Sequence, residues 1–159
     1  MSIPEYADAV LMNSAMNGTT PVEIAQSLWE LSTEAMRLTK VMSGNNNKEL
    51  GQTINDINAM STLGIYYSNK ISGAVNKCIA DKVYDPKIKT KYKNAAIENL
   101  KEASLIWRDY SERVDNQYYP HTLTRMIPNE KATPGLPRYT NIKELQTDVD
   151  NDILLATRI

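Results

Sequence analysis

The chain has 159 residues, of which 42% are hydrophobic and 23% charged, with a formal net charge of -1. Such a length buries roughly 70% of its unfolded surface in one domain, and the composition excludes a disordered chain. The balanced charge excludes a partner held by bulk phosphate neutralisation, so no nucleic-acid role is expected. Cys78 is the only cysteine, which removes internal disulfides and thiolate metal clusters. No apolar run approaches the ~18 residues that span a bilayer. Met1-Ser2-Ile3-Pro4-Glu5 lacks the basic and apolar segments of a signal peptide.

The elements follow in chain order. Ser2-Ile3-Pro4-Glu5 reads as a capping box with an early proline, opening a short helix over 3-13 that ends at Asn17-Gly18. Thr20-Pro21-Val22-Glu23 repeats the device for a helix over about 21-43. Its expected core stripe is Ala25, Leu28, Leu31, Ala35, Leu38 and Met42, at spacings of three and four. Gly44 to Asn47 stops it and caps the next helix, over about 48-83. There Leu50, Ile54, Ile57, Leu63, Tyr67, Ile71, Ala74 and Cys78 form one broad stripe. Gly51, Gly64 and Gly73 mark either close approach of a neighbour or a kink.

Asp85-Pro86 opens a helix over 86-118, with Tyr92, Ala96, Leu100, Ala103, Trp107, Tyr110 and Val114 at helical spacing. The short link predicts that the two long helices fold back on each other and carry most of the core. Residues 119-140 hold four prolines, Gly135 and no periodicity, which predicts an extended arm. Asn141-Ile142-Lys143-Glu144 caps a last helix over 142-157, with Ile142, Leu145, Val149, Ile153 and Ala156 on one face. The expected fold is all-α: a single helical domain over 1-159, built on a long antiparallel hairpin with a proline-rich arm and a C-terminal helix.

Little in the chain carries chemistry. His121 is the only histidine, and a nucleophile–base pair needs further groups placed beside it. Glu98, Glu102, Asp109 and Glu112 interleave with Lys101, Arg108 and Arg113, as on a solvated helix face rather than across a scissile bond. Asp148, Asp150 and Asp152 resemble a calcium loop without its glycine, inside a helical pattern. Met36, Met42 and Met60 read as packing residues, and Trp29 and Trp107 as core or interface with sugar stacking as the alternative. Tyr118-Tyr119-Pro120-His121 joins aromatic, polar and rigid residues where a helix ends. Tyr118, Tyr119 and His121 are therefore the candidate substrate contacts. No catalytic residue, metal site or cofactor is assigned.

Two stretches carry a family resemblance. One runs from Asn47-Lys-Glu-Leu50 through Asp56-Ile-Asn-Ala-Met60 to Gly64-Ile-Tyr-Tyr67 and Lys70-Ile71. The other runs from Ala95-Ala-Ile-Glu-Asn-Leu100 through Trp107 and Tyr110 to Gln117-Tyr-Tyr-Pro120-His-Thr-Leu123. Together they resemble the C-terminal helical region of large bacterial glycoside-hydrolase-like proteins, often labelled carbohydrate-binding family 6 or α-glucuronidase-like proteins. The resemblance implies a piece of a longer polysaccharide-degrading protein, periplasmic or secreted, whose catalytic carboxylates lie upstream. It implies a packing or dimer-forming role for this segment. Its partners would be the rest of the parent chain or a second subunit, with carbohydrate as a further candidate. The helical pattern still running at Ile159 fits that expectation. On this reading one face of the hairpin should expose an apolar patch. The alternative is a stand-alone helical-hairpin interaction module with a peptide groove near the tyrosine-rich arm. A small enzyme using His121 is the third reading.

Overall fold

The computed structural model describes residues 1–42, 47–118 and 142–158. Those residues are all helical apart from caps and links: α1 (Ile3–Met12), α2 (Pro21–Met42), α3 (Lys48–Lys82), α4 (Pro86–Gln117) and α5 (Gln146–Thr157). A 3-10 turn over Ile142–Leu145 leads into α5. The helix bounds agree with the sequence expectation to about one residue. The first turn of the last helix is the exception, being 3-10. The expected arm over 119–140 lies outside the described residues, as do Asn141 of the last capping signal and the 43–46 link. No helix among the described residues is long and apolar enough to cross a membrane.

The helix starts form as local chemistry dictates. The Ser2 hydroxyl accepts from the Glu5 amide while the Glu5 carboxylate accepts from the Ser2 amide at 2.7 Å. Thr20 and Glu23 do the same, at 3.2 and 2.8 Å. The Asn47 side chain accepts from the amides of Glu49 and Leu50, and Asp85 from those of Lys87 and Ile88. Each of these caps satisfies amides that the first turn otherwise leaves unpaired.

α3 is the centre of the bundle, touching α1, α2 and α4, while α5 lies along α4. Successive long helices run antiparallel: Thr39 meets Asn58 where Ser32 meets Gly64, and Asp56 meets Gln117 where Asn76 meets Asn99. The main core lies between α3 and α4. Tyr66, Trp107 and Tyr110 stack with ring centroids 5.0 and 5.4 Å apart, joined by Ala103 and by Val149 of α5. A second cluster continues it with Ala96, Leu100 and Ala156. A third seats α1 on α3 through Ala7, Val75 and Ile79, with half-buried Cys78 at its edge.

Two expected stripes need correction. In α3 the buried residues are Ala59, Ser61, Thr62, Tyr66, Ser68, Gly73, Val75, Ile79 and Ala80, whereas Ile57 and Tyr67 of the apolar stripe are exposed. A central helix is covered on several sides, so its burial does not follow a single amphipathic face. In α2 the buried residues are Pro21, Ala25, Ser32 and Thr39, while Leu31, Leu38 and Met42 are exposed. Two of the three glycines inside α3 explain the approach of its neighbours. A Cβ on Gly64 would collide with Ser32 Oγ, and one on Gly73 would sit 2.7 Å from Leu100 Cγ. α3 remains one uninterrupted helix, so these glycines serve close approach; Gly51 faces open space.

Candidate functional site

Of the three residues nominated from sequence, Tyr118 lies within the described residues; Tyr119 and His121 fall outside them. Tyr118 caps the C-terminus of α4, its amide donating to Val114 O at 2.9 Å. Its hydroxyl donates to Asp56 Oδ1 on α3, and Gln117 Nε2 donates to the same oxygen. The hydrogen bond to Asp56, with the adjacent carboxylate charge, holds the Tyr118 phenol above its ordinary pKa. A phenol held in its neutral form is a strap between helix ends, not a base. Beside it a recess of about 290 Å³ is lined by Asn55, Arg113, Asn116 and Gln117. Arg113 there pairs with Asp109 at 2.9 Å. Its described lining residues offer amide and guanidinium groups to a polar ligand.

The fold also assembles a polar seam where α5 covers α3 and α4, which helical periodicity does not reveal. Ser104 Oγ donates to Asp150 Oδ1 at 2.5 Å, and Gln146 Nε2 reaches both at 3.0 Å. Two residues further along α5, Asp152 pairs with Lys70 Nζ at 2.8 Å, and Lys70 Nζ also donates to Tyr66 Oη at 3.1 Å. Burial raises the Tyr66 phenol. Burial alone would lower Lys70, but hydrogen bonds to Asp152 and Tyr66 more than reverse it, and its pKa stands raised. A charged ammonium beside a neutral phenol is neither a nucleophile nor a base at neutral pH. The seam also accounts for the alternating aspartates: Asp150 and Asp152 are helical side chains reaching α4 and α3, not a calcium loop. Ser104 lies between Ala103 and Trp107 within the buried stretch of α4, and that position is the one sequence signal for a polar partner on α5. Among the described residues no group of three His, Cys, Asp or Glu side chains is placed to hold a metal.

The third feature is apolar. Ile24, Leu31, Leu38 and Met42 stand exposed along one flank of α2, with Leu31 72% accessible. Leu28 and Ala35 are half-buried between that flank and α3. Because α2 and α3 are antiparallel and meet at Ser32–Gly64, helical geometry places Met60 and Tyr67 of α3 on the same side as this flank. Met60 is 73% accessible, and Ile57 is exposed beside it. The expected solvated face of α4 contrasts with this surface: Glu98, Glu102, Asp109 and Glu112 are all exposed there. Contiguous apolar exposure of this kind marks interaction surfaces. Periodicity alone puts Leu31, Leu38, Met42 and Met60 in the core; the fold leaves all four in water. Trp29, 52% accessible, lies on the other flank of α2, whereas Trp107 is buried in the main core. In comparison with known proteins the chain matches no family model, no curated protein and no solved structure.

Proposed function

We propose that the chain is a non-catalytic helical accessory module that docks through the outer face of α2 and α3. The observation that carries this reading is the row Ile24, Leu31, Leu38, Met42 and Met60, left in water by a fold that buries serines and threonines instead. Burying a fully exposed side chain of that size contributes about 1.5–3 kcal/mol, and these five, 43% to 73% accessible, keep roughly half of that each for a partner surface. The resemblance supplies the setting: a larger periplasmic or secreted carbohydrate-active protein of the glycoside-hydrolase-like kind, in which this segment packs or pairs while catalysis lies elsewhere.

Methionine oxidation tests the docking. Met12 on α1 and Met60 are 75% and 73% accessible in the isolated chain. In the native gene product from its source cells, mild peroxide is expected to oxidise Met60 several-fold more slowly than Met12. Equal rates would overturn the reading. The polar recess beside Tyr118 favours the second reading, a stand-alone module that grips a peptide at the hairpin end. A native product of 17.9 kDa in which Arg113→Ala abolishes partner binding would establish it instead.

A further inference from the structure

α2 carries two interleaved stripes. The inner one, Pro21, Ala25, Ser32 and Thr39, is small or polar and is buried. The outer one runs Ile24, Leu28, Leu31, Ala35, Leu38, Met42, at steps of four, three, four, three and four. That is the repeat of a helix packed along another helix, knobs into holes. No helix among the described residues fills that role, since α2 makes its main contacts with α3 alone.

The repeat reads the same in both directions about residue 33. Against an antiparallel copy, Ile24 faces Met42, Leu28 faces Leu38, and Leu31 faces Ala35, so a large residue meets a small one at the centre. An isologous two-fold interface requires a self-complementary patch of this kind. The area also suffices. Ile24, Leu31, Leu38, Met42, Ile57, Met60 and Tyr67 together leave on the order of 700 Å² uncovered, close to the ~800 Å² per partner of a stable complex. Glu23, Glu30 and Arg37 lie roughly a quarter-turn or more round α2 from this stripe, while Glu34, three residues from Leu31 and four from Leu38, borders it with its charge paired to Arg37 at 2.7 Å.

We infer that this face is a self-association interface, in which α2 packs antiparallel on α2 of a second copy across a two-fold axis, flanked by Met60 and Ile57. The inference rests on the docking reading above and names its occupant. Sedimentation of the purified chain, from micromolar to hundreds of micromolar, is expected to show a species of twice 17.9 kDa. Leu31→Glu should return it to 17.9 kDa with unchanged helical circular dichroism, because the site is exposed and glutamate is a good helix former. The double variant Leu31→Cys/Ala35→Cys should form an interchain disulfide that peptide mapping assigns to the 31–35 pair. A chain monomeric at every concentration, a dimer that survives Leu31→Glu, or a cross-link mapping elsewhere overturns the pairing. A monomer whose Met60 is nevertheless protected in the native gene product would overturn the pairing while leaving docking standing, and would place another part of a longer chain on the face. Loss of that protection as well would remove both readings.

Discussion

Against α4, α3 presents Tyr66 and Gly73, met by Trp107, Leu100 and the Ala96 carbonyl. Against α2 it presents Asn58 and Gly64, met by Thr39 and Ser32, with Ser61 and Ser68 buried on the same side. Both interfaces use a glycine to bring backbones close. Only the first buries large apolar side chains, and there α5 closes the outer side with Val149 and Ala156. On α2 the large apolar residues are turned outward. Apolar burial, at ~25 cal/mol per Å², is the main attraction between helices in water. The α3–α4–α5 part therefore holds itself together, while α2 keeps its bulkiest apolar side chains uncovered and available to a partner.

The two tryptophans give the sharpest way to break this contrast. Trp107→Ala should cost about 3–5 kcal/mol in denaturant unfolding, since it empties the main core. Trp29→Ala should cost under about 1 kcal/mol, because it removes a side chain already half in water. Comparable losses would show that α2 is integrated into the core as firmly as α4.

The polar seam should rank next. Ser104→Ala leaves Asp150 and Gln146 without their buried hydroxyl partner and is expected to cost about 1–3 kcal/mol. The glycines sharpen the comparison further. Gly73→Ala meets the Leu100 side chain and should destabilise by about 1 kcal/mol or more despite better helix propensity. Gly51→Ala has open space and should stabilise by up to ~1 kcal/mol. A stabilising Gly73→Ala would mean that the α3–α4 contact is looser than its geometry.

The smallest effect is one of pH at the helix starts. Hydrogen bonds from the Ser2 and Thr20 amides lower the Glu5 and Glu23 pKa values below the ordinary 4.5. A depressed folded pKa contributes stability that is present above the unfolded value and is lost as pH falls through the folded one. Amide protection in the first turns of α1 and α2, measured against the intrinsic exchange rate at each pH, should therefore fall below about pH 4.5, while the α3–α4 core stays protected. Glu23→Ala should remove the acid sensitivity of α2 alone.

The helices and their starts are legible in the chain without any tertiary contact. Ser2 with Glu5, Thr20 with Glu23, Asn47 and Asp85 act on amides two or three residues away, so their bonds form wherever the rest of the chain goes. The α4 stripe is equally legible, because Ala96, Leu100, Ala103 and Trp107 form one unambiguous face. What α2 turns toward α3 is not, since the stripes starting at Ala25 and at Ile24 differ by a single residue and have the same period. Packing makes that choice. Gly64 allows an approach so close that only a residue as small as Ser32 fits opposite, and Leu31 and Leu38 are thereby turned out to water. The convergence of Tyr118 and Gln117 on Asp56, and of Ser104 and Gln146 on Asp150, is likewise hidden in the sequence, because α3 meets α4 and α4 meets α5 at residues 42 to 62 positions apart. Periodicity reports that a helix has an apolar face; sterics between backbones choose which face its neighbour takes.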